Sequence, residues 1–204
     1  MRSSRASWQR KGGIDMAISY VIDNVAGAGF LTAFNINAKT TPEIPRPPQL
    51  PGTHVFGMDG SVWVFCRVGT TGATITAGDF VLISTDDNWV ATGITGAAAH
   101  APLLGSPVGM AGATSVVSLG TDPNTNTVNY IWVQRAGYTA VSANVATGAA
   151  AFTQLNTNAA NSGRLTATAD TGVGAIVTGV VALATAASNT AFCFLNWPVV
   201  GANQ

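Results

Sequence analysis

Charged side chains are scarce in this sequence. Asp, Glu, Lys and Arg make up 9% of the 204 residues, and the formal net charge is zero, whereas about a quarter of an average soluble domain is charged. Disordered chains are usually charge-rich and poor in apolar residues, but 47% of this chain is hydrophobic, so the composition predicts a folded protein. Because solubility depends largely on surface charge, so low a content favours a protein that works bound within an assembly.

The sequence also lacks basic clusters and long apolar runs. Arg46, Arg67, Arg135 and Arg164 lie far apart in the body of the chain, whereas electrostatic capture of nucleic acid needs clustered Lys and Arg. We therefore expect no nucleic-acid partner. Gly, Thr, Asn or Asp interrupts every apolar stretch before the length of about twenty residues that spans a bilayer, so we expect no membrane association.

Cysteine is rare as well. Cys66 and Cys193 lie inside the apolar runs VWVFCRV and TAFCFLNW, where a free cysteine usually acts as a small buried hydrophobic side chain. We expect two buried thiols. A disulfide between them is the alternative, since sequence alone does not determine pairing.

Residues suited to catalysis or metal binding are few. His54 and His100 have no His, Cys or carboxylate at metal-ligand spacing nearby, so we interpret both as ordinary loop histidines. The turn at 86–88 lacks the spaced oxygen ligands of a calcium loop. Since the sequence also shows no carboxylate pair, nucleophile elbow or phosphate-binding loop, it predicts no catalytic residue, no metal site and no cofactor, and therefore a protein that is not an enzyme.

The N-terminal region changes composition along its length. Residues 1–15 hold four of the nine basic residues and lack the apolar core of a secretory signal. Our hypothesis is that translation starts at Met16, where the composition of the sequence changes, and that residues 1–15 are a leader that does not belong to the native protein. Residues 16–54 are predicted to form an extended segment that includes a proline-rich arm.

The proline-rich arm, residues 39–52 (KTTPEIPRPPQLPG), contains five of the nine prolines. Proline fixes φ and withholds a backbone donor, so the arm is predicted to be stiff and polyproline-like. A plain linker is one interpretation. The other is an arm that reaches across a neighbouring subunit, because an extended segment loses little entropy when it is clamped. The candidate interface prolines are Pro45, Pro47, Pro48 and Pro51.

The rest of the chain has the pattern of an all-β protein. Short apolar or alternating runs such as VWVFCRV, FVLIS and YIWVQRA are separated by Gly, Asn and Asp, which is typical of small β-barrel or sandwich units. We divide this body into a first β unit, residues 55–118, and a second, residues 119–204. Trp, Val, Arg and Gly recur in similar order at 63–69 and 132–137, which indicates an internal duplication.

The last apolar run, residues 191–195, carries an apolar residue at every position. It therefore predicts a strand that is buried on both faces. Pro198 follows shortly, and we expect it to end the pairing of this strand because it has no backbone N–H to donate.

Four tryptophans lie in the body of the chain. Trp63 and Trp132 occupy similar positions in predicted strands, so we expect them in the core. Trp89 and Trp197 are predicted to be interface residues, because indole rings contribute much of the energy at protein contacts. The alternative is that the tryptophans form a platform that stacks on sugar rings.

Several strings in the body resemble a group of virion proteins of tailed bacteriophages. These strings are DGSVWVFCRVG, ITAGDFVLI, VGMA, IWVQRAG, NVATGAAAFTQL, GRLTAT and FLNWPVV, and the resemblance extends over residues 55–200. Proteins of this group are described as head decoration or cement proteins, or as uncharacterised structural proteins. The basic leader before Met16 departs from their pattern.

The resemblance implies a β protein displayed in many copies on the capsid surface of a virion and assembled in the host cytoplasm. It would bind between major capsid proteins as a homodimer or homotrimer and stabilise the shell by multivalent contact. The resemblance supplies no catalytic residue. The alternative function is that of a tail-associated or fibre protein that recognises a glycan on the host surface.

Overall fold

The computed structural model describes residues 29–37, 49–69, 74–86, 89–94, 104–115, 127–158, 162–167 and 175–201. Within these ranges the chain forms thirteen strands and no helix, which confirms the predicted all-β class. The strands are β1 (Phe34–Asn37), β2 (His54–Phe56), β3 (Val62–Val68), β4 (Phe80–Ser84), β5 (Val90–Gly93), β6 (Val108–Ala111), β7 (Thr127–Tyr138), β8 (Ala143–Asn144), β9 (Leu155–Thr157), β10 (Leu165–Thr166), β11 (Ile176–Ala182), β12 (Thr190–Ala191) and β13 (Cys193–Val200).

Five strands close a small barrel. β3 pairs with β7, β7 with β6, β6 with β4, β4 with β5, and β5 returns to β3. All of these pairings are antiparallel except that of β5 with β3, which is parallel. Closure satisfies the backbone hydrogen bonds of these strands and leaves them no free edge, which limits edge-to-edge aggregation in a chain with few charges.

Strand β3 is buried on both faces because it separates two cores. Val64, Cys66 and Val68 point into the barrel, where they pack with apolar residues of the other barrel strands. Successive side chains of a strand point to opposite faces, so Trp63 and Phe65 lie outside the barrel. There they join an aromatic core, which consists of Phe30, Val55, Trp63, Phe65 and Trp132.

The aromatic core accounts for the two tryptophans that were predicted to face inward. Trp63 and Trp132 are both 0% exposed. Phe30 stacks on Trp63 with ring centroids 4.7 Å apart and meets Trp132 edge-on at 5.6 Å. This N-terminal phenylalanine covers both indoles, and β1 holds the segment in place by pairing antiparallel with β7.

Strand β7 joins the barrel to a second group of strands. Beyond it the sheet continues in the order β13, β11, β9, β10. Phe80 and Met110 of the barrel strands share a hydrophobic core with Leu155 and Leu195 of these later strands. Residues of both predicted β units therefore pack together, and the matching motifs lie on β3 and β7, which are direct neighbours. The duplication itself stays a prediction.

The C-terminal strand differs from its prediction in two ways. Its side chains alternate, so that Cys193 and Leu195 are buried while Phe194 is exposed; only one face of this part of the strand lies against the core. The strand also runs past Pro198 to Val200. The pairing survives because the register with β11 shifts at Gly179, where φ is +80°, and a bulge of this kind accommodates the missing donor.

Candidate functional site

The fold brings the two predicted interface tryptophans together around one histidine. The rings of His54 and Trp89 lie 5.4 Å apart, nearly perpendicular, and those of His54 and Trp197 lie 6.3 Å apart. Trp197 is 48% exposed, His54 is exposed, and Trp89 is partly buried. We call these three residues the aromatic surface.

Three separate elements supply the aromatic surface. His54 begins β2 and pairs with Val64 of β3. Trp89 immediately precedes β5, and Trp197 lies in β13. The interpretation of His54 as a loop histidine is wrong. The turn at residues 51–52 ends before His54, and Val55, the next residue of β2, enters the aromatic core. Anchoring by Val55 directs His54 to the exposed face, because neighbouring residues of a strand point to opposite sides.

Both tryptophans of the aromatic surface have left-handed backbone conformations. The φ angle is 58° at Trp89 and 47° at Trp197. Bulky residues rarely adopt positive φ, and such conformations persist only where the surrounding structure enforces them. Positive φ also occurs at Phe152, Ser188 and Asn189, so the angles show that the surroundings hold both tryptophans in place but do not by themselves define a site.

The end of the proline-rich arm lies directly against the aromatic surface. Gly52 has a φ of +88°, and a Cβ built on it would collide with the indole Nε1 of Trp89. The carbonyl oxygen of Gly52 also lies 2.8 Å from Nδ1 of His54. Pro51, the one candidate proline within the described residues, is partly buried beside them. Pro45, Pro47 and Pro48 lie outside the described residues.

Arg135 packs against the indole ring of Trp197. Its Cζ lies 5.4 Å from the centroid of the Trp197 ring, which is the range of a cation–π contact. The residue is only 7% exposed, and Nη2 donates to the carbonyl of Pro198 at 3.4 Å. Its buried Nε has no hydrogen-bond partner among the described residues. Burial lowers the pKa of Arg135, but a guanidinium titrates so high that it stays charged.

A second group of exposed aromatics lies on β7 and β13. Tyr138 and Phe194 face each other across the two strands, with ring centroids 5.2 Å apart, and they are 62% and 38% exposed. Sequence reasoning missed this pair, because residues 191–195 were expected to be buried on both faces. The signal available was Phe at alternate positions, 192 and 194, which a half-buried strand would place on one face.

Exposed apolar residues continue along β2 from the aromatic surface. Phe56, two residues after His54, is 52% exposed, and Met58 beyond the strand is 68% exposed. Residues i and i+2 of a strand share a face, so Phe56 lies on the same side as His54. The exposed apolar area therefore extends from the tryptophans along this strand.

The two cysteines are buried free thiols, as predicted. Burial raises the pKa of the Cys66 thiol far above its usual range, and it raises the pKa of Cys193 to about 12. The thiolate is the reactive form of cysteine. Neither side chain is therefore suited to act as a nucleophile.

A polar network in the described ranges is centred on Asp79. Its Oδ2 accepts a bond from the Thr76 amide at 2.7 Å, and its Oδ1 accepts one from Asn144 at 2.9 Å. Asn144 in turn accepts a bond from Nε of Arg164 at 2.9 Å. Protein donors thus occupy both oxygens of the carboxylate, and the network ties β4, β8 and β10 together.

Two absences among the described residues bear on the kind of site. No three His, Cys, Asp or Glu side chains come close enough together there to hold a metal ion. No helix within the same residues is long and apolar enough to cross a membrane.

The sequence was also compared with known proteins. No protein-family model matches the chain, and none of the curated proteins matches its sequence.

Proposed function

We propose that this protein is a virion structural protein that decorates and stabilises a phage capsid by binding between major capsid proteins, and that it associates through the aromatic surface. The observation that carries the proposal is the convergence of Trp89 and Trp197 around His54 at an exposed position. Both tryptophans are held there by enforced backbone conformations.

The chemistry of the aromatic surface suits a protein contact. Indole rings are enriched among the residues that contribute most to binding, where one truncation costs on the order of 2 kcal/mol or more. His54 and Trp197 present apolar ring area with few charges that would have to be desolvated. Because the rings sit on strands of a closed barrel and its adjoining sheet, little conformational freedom is lost when they are covered.

The low charge of the whole chain supports the same proposal. A protein with 9% charged residues has weak electrostatic protection against association, which is an advantage on a lattice of many identical contacts. Each contact needs only modest affinity, because multivalent attachment multiplies it. Binding that favours the mature shell over its precursor then stabilises the mature form by mass action.

Copy number in purified particles tests the proposal. Quantitative mass spectrometry of the virion whose genome encodes this chain should find it in hundreds of copies, in constant ratio to the major capsid protein. A handful of copies per particle would indicate the tail, and absence from the particle would refute the proposal.

The glycan-binding alternative uses the same exposed indole. Trp197, at 48% exposure, offers a ring on which a sugar could stack. Sugar recognition also needs hydrogen-bonding groups around the ring, and Nδ1 of His54 is already engaged by Gly52. A glycan array that is positive at micromolar protein, and loses its signal with Trp197→Ala, would favour this alternative.

A further inference from the structure

We propose that the aromatic surface binds a carboxylate of its protein partner, and that the guanidinium of Arg135 supplies the positive charge for this contact. The inference deepens the proposed function, on which it rests, by giving the chemistry of the capsid-protein segment that the surface recognises. That segment carries an Asp or Glu side chain between apolar neighbours. Three features of Arg135 lead to it: its burial without a counter-charge, its position at a bulge, and its place beside an exposed indole.

Arg135 is a buried cation that no carboxylate of the described residues neutralises. The residue is 7% exposed, and buried charges are usually paired, because removing an ion from water is costly. Within the described part of the chain, the group that acts electrostatically on Arg135 is the Cys66 thiol and not a carboxylate. Burial raises the pKa of this thiol, so it stays protonated and offers no negative charge. An anion from outside the chain would supply it.

The guanidinium of Arg135 also has hydrogen-bond donors to spare. Nη2 donates to the carbonyl of Pro198 across a long 3.4 Å, and the buried Nε has no partner within the described ranges. Nη1 makes no bond to a described residue either, and unlike Nε it is not sealed from solvent. The planar fork of an arginine matches the two oxygens of a carboxylate. An end-on contact with Nη1 and Nη2 would therefore give a carboxylate two charge-assisted bonds.

The fold places Arg135 at a bulge of β7. Val62 of β3 pairs with Ala136, and the next residue, Trp63, pairs with Gln134. Arg135 is therefore the extra residue of β7, with no partner across the ladder to β3. Bulges re-aim a side chain and are over-represented beside functional sites. This bulge accounts for a charged residue in the interior of a long strand whose side chain departs from the regular alternation.

Two neighbours hold the side chain of Arg135 in place. A Cβ built on Gly109 of β6 would lie 3.2 Å from Cδ of Arg135, so the absence of a side chain at Gly109 leaves room for the aliphatic stem. At the far end, Cζ lies 5.4 Å from the centroid of the Trp197 ring. Because the guanidinium is already positioned, little conformational entropy is lost when a ligand reaches it.

The surroundings of the guanidinium favour a protein side chain over a phosphate or a sugar acid. A phosphate group carries more negative charge than the guanidinium of Arg135 alone can balance, whereas one carboxylate matches it. Exposed apolar side chains continue along β2 from the aromatic surface, where Phe56 and Met58 are 52% and 68% exposed. They suit the apolar neighbours of an acidic residue in a peptide, and they offer no hydrogen bonds to the hydroxyl groups of a sugar.

The first test uses the purified full-length chain without capsids, so its outcome is independent of the copy-number measurement. The probe is the capped tripeptide acetyl-Leu-Glu-Leu-amide, and its control is the same peptide with Gln in place of Glu. NMR of isotope-labelled protein follows the Nε–H signal of Arg135 and the indole N–H signal of Trp197. The Glu peptide should shift both signals saturably, with a Kd on the order of 1 mM. The Gln peptide should bind at least about tenfold more weakly.

Variants assign the preference for the Glu peptide to Arg135. Arg135→Met keeps an aliphatic stem beside Trp197 but removes the charge, so the Trp197 signal should report equal binding of the two peptides. Arg135→Lys keeps the charge without the planar fork and should retain part of the preference. Arg67→Met is the matched control, because Arg67 is a partly buried arginine on β3 outside the proposed contact, and it should retain the full preference. Circular dichroism should show that all three variants are folded.

Several results would overturn the proposal. The Glu peptide could leave both signals unchanged up to about 20 mM, far above the expected Kd, or the wild type could bind the two peptides equally. A preference that persists in Arg135→Met would place the carboxylate elsewhere on the protein. Tighter binding of inorganic phosphate or of glucuronate than of the Glu peptide would make a phosphate group or a sugar acid the ligand instead.

A second test identifies the capsid protein as the source of the carboxylate. Expanded capsids that lack this protein should bind Arg135→Met with occupancy at least about tenfold lower than the wild type at limiting concentration, and Arg135→Lys should recover part of the loss. Equal occupancy by the wild type and Arg135→Met would overturn the proposal. Capsids that bind no wild type would refute the proposed function, and the peptide titration would then show separately whether Arg135 binds a carboxylate.

Discussion

The guanidinium of Arg135 lies over the indole of Trp197, with Cζ 5.4 Å from the ring centroid. A buried cation thus supports an exposed aromatic ring, and the two residues come from β7 and β13. A cation over an indole contributes about 0.5–2 kcal/mol, more when it is desolvated. The pair fixes the position of the ring on which the aromatic surface depends.

Replacing Arg135 should therefore loosen Trp197. We expect Arg135→Ala to lower the free energy of unfolding by about 2 kcal/mol, because both the ring contact and the packing of the aliphatic stem are lost. Arg135→Met should cost less, since it keeps the stem and removes the desolvation penalty of a buried charge. Urea unfolding of the three proteins checks this, and equal losses for both variants would contradict it.

Gly52 should be intolerant of a side chain because of Trp89. Gly52→Ala places a Cβ against the indole at a φ of +88°, whereas Gly60→Ala meets no atom within 4 Å at a φ of +79°. The second variant therefore measures conformational strain alone, about 1 kcal/mol. We expect Gly52→Ala to cost about 1–2 kcal/mol more in urea unfolding, because Trp89 must move. Equal losses of stability for the two variants would show that the Trp89 indole does not obstruct a side chain at position 52.

The two tryptophans of the aromatic core should respond differently to the same change. The indole N–H of Trp63 donates to Oγ of Ser61 at 2.8 Å, whereas the buried Nε1 of Trp132 has no partner among the described residues. Trp63→Phe removes this hydrogen bond, whereas Trp132→Phe removes none among the described residues, so Trp63→Phe should destabilise by about 1 kcal/mol more. Chemical denaturation of both variants tests this, and the reverse order would contradict the assigned bond.

Much of the fold class was predictable, because alternating apolar runs report strands directly. The inward positions of Trp63 and Trp132 followed from the same pattern. The strand that contains His54 was missed because it is only three residues long and follows a proline-rich segment. Burial on both faces was predicted for residues 191–195, but Phe194 is exposed. The sequence of this strand alone does not show which of its two faces the rest of the fold covers.

The candidate site was less accessible to sequence reasoning. Trp89 and Trp197 could be singled out as large aromatics in separate segments, but their meeting at His54 depends on the register of three distant strands. The continuation of β13 past Pro198 depends on a bulge at Gly179 of the neighbouring strand. The residues around Pro198 do not predict this bulge, because it lies on another strand.

Alkaline pH should weaken the native state through Cys193. Its thiol has a pKa of about 12 in the folded chain and an ordinary value of 9.0. Between these values the unfolded chain loses the proton that the native chain keeps, so stability is full below pH 9 and falls as the pH rises. The slope for one group is about 1.4 kcal/mol per pH unit.

Urea unfolding at several pH values between 8 and about 11 measures that slope. Cys193→Ala should be less stable at neutral pH, because it leaves a cavity, but its stability should fall less steeply above pH 9 than that of the wild type. The difference in slope isolates the Cys193 thiol from Cys66, whose pKa is also raised by burial, and from the other groups that both proteins share. Parallel curves would show that Cys193 ionises as freely in the native chain as in the unfolded one.

Shell occupancy tests the central claim most directly. Expanded capsids that lack this protein are incubated with the wild type, Trp197→Ala or Phe152→Ala, and bound protein is counted after sedimentation. Phe152 is the control because it is also an exposed aromatic residue, 74% accessible, but is not part of the aromatic surface. We predict saturable binding by the wild type and by Phe152→Ala, and occupancy at least about tenfold lower for Trp197→Ala at limiting concentration. Absence of wild-type binding, or equal binding by Trp197→Ala, would contradict a protein that decorates the shell through its aromatic surface.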